Sequence, residues 1–312
     1  MAYFEYYKSL LKEEDRKHYS LLLEKIRKGE PTFTLNIPFT TRLLEVYNSI
    51  RYDHPELYFL DDNFSIYSRG KKTACKVGRI ISKEESFKVA KQISEIIKKE
   101  FLPALKLNEY EKTLFVYDWF MKKVKYTKGK PNSYNIIGAL IEKQCVCQGI
   151  AYASKLIFDY LKMKSIVAVG ELFSEGKKEP HAWNIVFINN EPYHFDATCG
   201  LNGLHSHLNI DDNDVKKDHS FDLKKYPKCS SNKANYFVIN NSLVKYNNTA
   251  LEQFFRKNLT LGRTIEFKVL GVKGDIHQEL LEKAAKVHFA IFSKRYNINF
   301  DVTQQVYRII IK

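Results

Sequence analysis

Three side chains in the sequence, Cys147, His181 and Asp196, have the types and the order that thiol-dependent acyl transfer requires. In this chemistry a cysteine thiolate attacks an amide carbonyl, an imidazole moves the proton, and a carboxylate orients the imidazole. The three groups must come within hydrogen-bonding reach of one another. The elements that carry them therefore decide whether the reaction is possible.

Cys147 stands where a loop leads into the segment GIAYASKLIFDYLK, in which apolar residues recur at helical spacing. The unpaired N–H groups at a helix start favour a thiolate and can also donate to an oxyanion. Cys145 lies before the helix and gains less from its dipole. Gly149 is expected to let a substrate backbone approach closely. The sequence therefore predicts Cys147 as the nucleophile.

His181 opens the run HAWNIVFI, and Asp196 lies in the next run, EPYHFDAT. Both runs are typical of strands, and Asn189-Asn190 between them predicts a two-residue hairpin turn, because Asn tolerates positive φ. In that register His181 and Asp196 are diagonal neighbours on one face, about 7–8 Å apart at the backbone. An imidazole and a carboxylate can span this distance.

Both motifs resemble those of the transglutaminase-like superfamily. The run CVCQGIAYA resembles its pattern of a nucleophilic cysteine followed by one residue, Gly, an apolar or aromatic residue and Ala. HAWNIVFINNEPYHFDAT resembles the pattern that supplies the histidine and, on the next strand, the aspartate. The resemblance covers most of the chain, because flanking segments resemble bacterial members of the group: DHPELYF, EKTLFVYDWFMKKVKY, NIDDNDVKKDH and ANYF.

The resemblance implies an α+β, papain-like fold in which a helix bearing the cysteine packs on an antiparallel sheet bearing the histidine and the aspartate. It implies that Cys147 attacks the amide carbonyl, that His181 moves the proton and that Asp196 holds His181. Trp183 and Asn184 are implied to shape the site beside His181.

The side-chain oxyanion donor is left open, with Asn135 and Gln144 as its candidates. Cys145 stands where the family has a small residue, often Gly, and Cys199 stands where bacterial relatives often have Trp. A disulfide between residues 145 and 147 is geometrically unfavourable. The odd number of cysteines, five, also argues against a disulfide framework.

The chain is predicted to comprise three regions. Residues 1–105 form a mostly helical N-terminal region, 106–200 form the transglutaminase-like catalytic core, and 201–312 form a C-terminal α+β region packed on the core. In the last region ANYFVINNSLVKY predicts a second hairpin, and a long helix is expected from about His277 to Ser293.

The formal net charge of +14 comes almost entirely from Lys spread along the whole chain, without any nucleic-acid-binding signature. We therefore expect no specific nucleic-acid partner, although the field favours an acidic protein partner or a membrane surface. The sequence has no run of 18 apolar residues, so it predicts no membrane span. The N-terminus lacks the apolar core of a secretory signal, which favours the cytoplasm, or the cell surface or exterior if an export signal has been removed.

A zinc site competes with the catalytic interpretation, because several His and Cys residues fall within one stretch. They lack the tight paired spacing of structural zinc ligands, and NIDDNDVKKDH lacks the glycine of a calcium loop, so that a capped helix start is expected there. We predict no metal and no cofactor. The zinc candidates are His194, Cys199, His205, His207, His219 and Cys229.

The sequence thus predicts an enzyme that acts on protein or peptide amides through a thioacyl intermediate, giving cross-linking or deamidation. A cysteine peptidase with the same triad is the alternative. A non-catalytic protein-interaction module is a further alternative, which is expected to lack part of the triad. The sequence assigns no oligomeric state.

Overall fold

The computed structural model describes residues 4–174, 176–260, 262–287, 293 and 296–311. It mixes helices and strands, which confirms the predicted α+β class. The chain divides into two compact units: unit 1 comprises Met1–Lys112, Val124–Ala168 and Ala182–Ile185, and unit 2 comprises Thr113–Lys123, Val169–His181 and Val186–Lys312. The three-region division of the chain stays a prediction.

A local sequence signal marks the end of the second helix. Gly29 ends the second helix in the left-handed conformation, with φ of 75°, which costs glycine little. The helices are α1 (Tyr6–Leu10), α2 (Glu13–Lys28), α3 (Arg42–Asp53), α4 (Lys83–Phe101), α5 (Glu109–Lys123), α6 (Cys147–Tyr160), α7 (Asp212–Val215), α8 (Tyr236–Ile239), α9 (Asn248–Asn258) and α10 (His277–Ala285).

The strands, numbered along the chain, are β1 (Thr32–Leu35), β2 (Leu60–Arg69), β3 (Lys72–Arg79), β4 (Lys125–Tyr126), β5 (Gln144–Cys145), β6 (Ser165–Ser174), β7 (Lys177–Ile188), β8 (Glu191–Phe195), β9 (Leu208–Ile210), β10 (His219–Ser220), β11 (Leu243–Lys245), β12 (Thr264–Leu270), β13 (Tyr296–Asp301) and β14 (Val306–Ile311). Within the described residues they form sheets with the orders β1-β3-β2, β4-β5, β10-β6-β7-β8-β9 and β11-β12-β14-β13.

In unit 1 the helices α2 and α3 and the sheet β1-β3-β2 share one apolar core. The hairpin β2–β3 lies in the region predicted to be mostly helical. Its strand character shows in β3, where Thr73, Cys75 and Val77 are buried and alternate with more exposed residues, as one face of a sheet requires.

Helix α6 begins at Cys147, as predicted, and every residue in it except Gln148 and Tyr160 is buried. A helix buried on all sides can carry charge only in pairs. Lys155 meets this condition, since its Nζ lies 2.6 Å from Asp159 Oδ1.

The side chain of Asn184, in β7, fixes α6 within unit 1. Its Nδ2 donates to the carbonyl of Ala151 at 3.0 Å, one turn after Cys147, and to the carbonyl of Ile166, in β6, at 3.3 Å. The cysteine-bearing helix is thereby tied to strand backbone, which is the arrangement that the resemblance implies.

In unit 2 the helices α9 and α10 pack on the sheet β11-β12-β14-β13. The hairpin predicted over ANYFVINNSLVKY is wrong: α8 occupies its first half because the Asn235 side chain accepts from the Phe237 N–H, as an N-cap does. Helix α10 ends at Ala285 and residues 286 and 287 form a turn, so the long helix predicted to about Ser293 is wrong beyond Ala285; residues 288–292 lie outside the described residues. In the part of the chain described, no helix has the length and apolar character needed to cross a bilayer.

Gly149 is held in a crowded position of unit 1, which corrects the reason expected for a glycine there. A Cβ at this residue would lie 2.8 Å from both Cys145 Cβ and the Ser133 carbonyl oxygen, and 3.0 Å from the Asn135 carbonyl oxygen. The protein's own backbone therefore covers this face of Gly149.

We predict that Gly149→Ala lowers the free energy of unfolding by roughly 1–3 kcal/mol through overpacking, although Ala favours helix over Gly. Urea unfolding followed by circular dichroism measures the change. Gln148→Ala, at the partly exposed neighbouring position, is the control and is expected to change little. A Gly149→Ala protein as stable as wild type would contradict the crowding.

Candidate active site

Cys147 is the first residue of α6 and is 8% exposed. The preceding Val146 is extended and its side chain has no acceptor to cap the helix. The helix start thus presents N–H groups and positive dipole charge beside the thiol, which favours the thiolate.

The other described thiols are poor nucleophiles, because burial holds them protonated. Burial raises the pKa of Cys75 to about 11, and burial together with the neighbouring Cys147 raises that of Cys145 to about 12. Burial also raises the pKa of Cys229, and burial with the charges of nearby aspartates raises that of Cys199. All five cysteines are free thiols.

In unit 2 the predicted base and its orienting group meet. His181 Nε2 lies 2.7 Å from Asp196 Oδ2, and both side chains are buried. The turn at Asn189 and Asn190 has two residues, with φ of 52° and 63°, which confirms the predicted hairpin between β7 and β8. Asp196 itself lies one residue beyond the end of β8.

The Asp196 carboxylate accepts four hydrogen bonds within unit 2. Its Oδ1 accepts from the backbone N–H of Thr198 at 2.8 Å and of Cys199 at 3.3 Å. Its Oδ2 faces His181 Nε2 and also His219 Nε2, at 3.1 Å. Burial alone raises the pKa of a carboxyl, but the histidine charges and hydrogen bonds outweigh it and hold the pKa of Asp196 well below its usual range.

His219 continues this arrangement into a buried chain of alternating imidazoles and carboxylates. Its Nδ1 lies 2.6 Å from Asp218 Oδ1, and Asp218 Oδ2 lies 2.9 Å from His207 Nε2. Gln304 Nε2 also donates to Asp218 Oδ2, at 2.9 Å. The sequence named His207 and His219 only as zinc candidates.

The other predicted site residues lie in unit 1, with Cys147. Both N–H groups of the Asn184 side chain are taken by backbone carbonyls, so this residue positions α6. Trp183 is fully buried. Asn135 uses its Oδ1 to accept from the Ile137 N–H at 2.8 Å, and Gln144 is exposed. A role for any of them as oxyanion donor stays a prediction.

A cleft of about 200 Å³ opens in unit 1 and is lined by Gln148, which follows Cys147, and by Asn135. Asp61, Asp62 and Tyr152 also line it. The cleft offers both polar groups and an aromatic face to a ligand.

Among the described residues, three groups in unit 2 bring possible metal ligands within 4.8 Å of one another, which sequence spacing did not indicate. Each histidine in them is already hydrogen-bonded to an aspartate of its own group, for example His194 Nε2 to Asp212 Oδ1 at 2.9 Å. The groups are His181–Asp196–Cys199–His219, His194–Asp212–Cys229 and His207–Asp218–His219.

The segment NIDDNDVKKDH contains the capped helix start that the sequence predicts in place of a calcium loop. The Asp211 side chain accepts from the N–H groups of residues 213 and 214.

No protein-family model matches the chain, and no curated protein matches it. Solved structures similar to it include one described as a TGase, with a TM-score of 0.32 and 14% identity over 54% of this chain and 50% of that protein. A candidate cysteine protease from Cytophaga hutchinsonii has a TM-score of 0.31 and 17% identity over 44% of this chain and 61% of that protein. A candidate protease from Parabacteroides distasonis has a TM-score of 0.25 and 9% identity over 43% of this chain and 35% of that protein.

One of these proteins is described as a TGase and the other two are described as proteases. Each alignment covers less than two thirds of the other protein's length. At these identities and TM-scores, the chain's own residues are the basis for its chemistry.

We predict that iodoacetamide labels Cys147 before the other thiols near pH 7.5, because the helix start favours its thiolate and burial holds the others protonated. Mass spectrometry of tryptic peptides at short reaction times measures the order. Denatured protein, in which all five thiols react alike, is the control. Labelling of Cys75 or Cys229 as fast as Cys147 would count against an activated thiol.

The His207–Asp218 pair predicts a pH-dependent stability. Burial lowers the pKa of His207, but the Asp218 charge outweighs it and the pKa lies above its usual value. The pair therefore stabilises the fold fully below about pH 6.5 and loses this contribution as the pH rises through the folded pKa. Ser206 and Asp301 also face this ring.

We expect Asp218→Asn to lower the free energy of unfolding by roughly 1–3 kcal/mol near pH 6 and by progressively less as the pH rises and His207 loses its proton. Urea titrations at a series of pH values measure the difference from wild type. Asp222→Asn, at an exposed position, serves as the control. A difference that grows with pH would contradict the assigned sign.

Proposed function

We propose that this chain is a thiol-dependent acyltransferase of the transglutaminase-like type, acting on protein or peptide amides. Cys147 is the nucleophile, His181 the general acid and base, and Asp196 the group that orients His181. The observation that carries the proposal is the buried hydrogen bond of 2.7 Å between His181 and a fully hydrogen-bonded Asp196.

The bond to Asp196 specifies the proton position on His181. An ionised carboxylate can only accept, so His181 Nε2 carries a proton and Nδ1 is the nitrogen that exchanges a proton with the thiol. An oriented imidazole with a fixed tautomer is what a cysteine nucleophile needs from its base.

The reaction follows from these roles. The Cys147 thiolate forms a C–S bond with the amide carbonyl, and the helix-start N–H groups stabilise the oxyanion. The C–N bond then breaks as imidazolium His181 gives its proton to the leaving nitrogen, which leaves a thioester. A second nucleophile loses its proton to His181 and attacks, the C–S bond breaks, and the thiolate is regenerated.

The second nucleophile decides the product. An amine gives a cross-link, and water acting on a glutaminyl thioester gives deamidation. A cysteine peptidase would use the same three residues with a backbone amide as substrate. The non-catalytic interaction module would be expected to lack part of the triad, whereas this chain carries Cys147, His181 and Asp196.

We predict that Cys147→Ala abolishes turnover, with a loss of at least about 10³-fold in kcat/KM, since the variant has no nucleophile. A peptide and protein library is assayed for cleavage, ammonia release and amine incorporation in parallel, which separates the three outcomes.

Cys75→Ala, which removes a buried thiol of unit 1, is the matched control and should keep wild-type turnover. Turnover by Cys147→Ala at the wild-type rate would refute the assigned nucleophile. Wild-type protein inactive in all three assays would favour the interaction module.

A further inference from the structure

Asp196 Oδ2 meets two imidazoles, and the proposed function uses only one of them. His181 Nε2 lies at 2.7 Å and His219 Nε2 at 3.1 Å from the same oxygen. The centroids of the two rings are 5.2 Å apart and their planes are inclined at 64°. The His219 ring is thus a second donor on the group that orients the base.

His219 is itself held firmly. It lies in β10, where it pairs with Leu172 of β6, and its side chain is fully buried. Its Nδ1 faces Asp218 Oδ1 at 2.6 Å. Asp218 is fixed in turn, because Gln304 and His207 both bond its other oxygen at 2.9 Å.

We propose that His219 is a positioning residue for acyl transfer: it holds the Asp196 carboxylate in the plane that orients His181. This inference rests on the proposed function. With His219 in place, Oδ2 has donors on two sides and Oδ1 has two backbone N–H groups, so the carboxylate cannot rotate without losing bonds. Without that donor, a buried charge loses one partner and Oδ2 is held by His181 alone.

Two isosteric variants separate this role from packing. The Nδ2 of Asn takes the place of imidazole Nδ1, and the Nε2 of Gln takes the place of imidazole Nε2. His219→Gln therefore keeps a donor toward Asp196, and His219→Asn keeps a donor toward Asp218 only.

His205 provides the matched control, because it is also a buried ring of unit 2 between two carboxylates. Its Nδ1 lies 3.0 Å from Glu266 Oε2 and its Nε2 lies 2.9 Å from Asp118 Oδ1. The variants His205→Asn and His205→Gln make the same chemical changes at a histidine that bonds Glu266 and Asp118 instead of Asp196.

The experiment measures kcat and KM, and also the iodoacetamide rate of Cys147, which needs no substrate. We expect His219→Asn to lower kcat by about tenfold to a hundredfold with little change in KM, the effect of one lost charge-assisted hydrogen bond. His219→Gln should stay within about threefold of wild type, as should both His205 variants if they fold. The Cys147 alkylation rate should follow the same order.

Equal losses in His219→Asn and His219→Gln, or no loss in either, would overturn the inference. Stoichiometric zinc that is present in purified wild type and lost from both His219 variants would also overturn the inference, because His219 would then be a metal ligand. If wild-type Cys147 reacts no faster than Cys75, the proposed function itself fails. If it reacts fast in wild type and equally fast in His219→Asn, only the role of His219 fails.

Discussion

The ionised Asp196 carboxylate, buried in unit 2, is the group on which the candidate site depends. A buried charge without partners costs several kcal/mol, so it persists only when hydrogen bonds replace water on every side. Here two backbone N–H groups and two imidazoles do so. The consequence is electrostatic as well as geometric, because these donors hold the pKa of Asp196 well below its usual range. His181, the proposed base, therefore faces a negative charge.

The donors come from separate parts of the chain. His181 lies in β7, the Thr198 N–H follows β8, and His219 lies in β10. The strands of one sheet bring these segments together, so that the site needs the sheet to be complete. Beyond His219 the chain of hydrogen bonds runs through Asp218 to His207, which gives the outer donor its own fixed partners.

Cys147, the proposed nucleophile, depends on a different constraint, burial within unit 1. Helix α6 is enclosed on nearly all sides, and the Asn184 amide ties its backbone to β6. Such a helix presents its first residue from a fixed position. Burial also separates the thiols by reactivity, since it raises the pKa of Cys75 and Cys145, whereas Cys147 has the helix start beside it.

Local sequence alone determined those features that depend on near neighbours in the chain. The start of α6 at Cys147, the two-residue turn at Asn189 and Asn190, and the Asp211 cap of α7 each follow from a few adjacent residues. The residues of the proposed triad could be selected for the same reason, because their motifs are short and contiguous.

Only the tertiary structure decided how polar side chains that are far apart in the chain are paired. His219 bonds a carboxylate 23 positions earlier, and Asn184 bonds a carbonyl 33 positions away, distances at which residue spacing carries no information. The hairpin β2–β3 and helix α8 also differ from what local patterns predicted. A hydrogen-bonding side chain takes whichever partner the fold brings within about 3 Å, and the sequence names the donors without showing which acceptors they will meet.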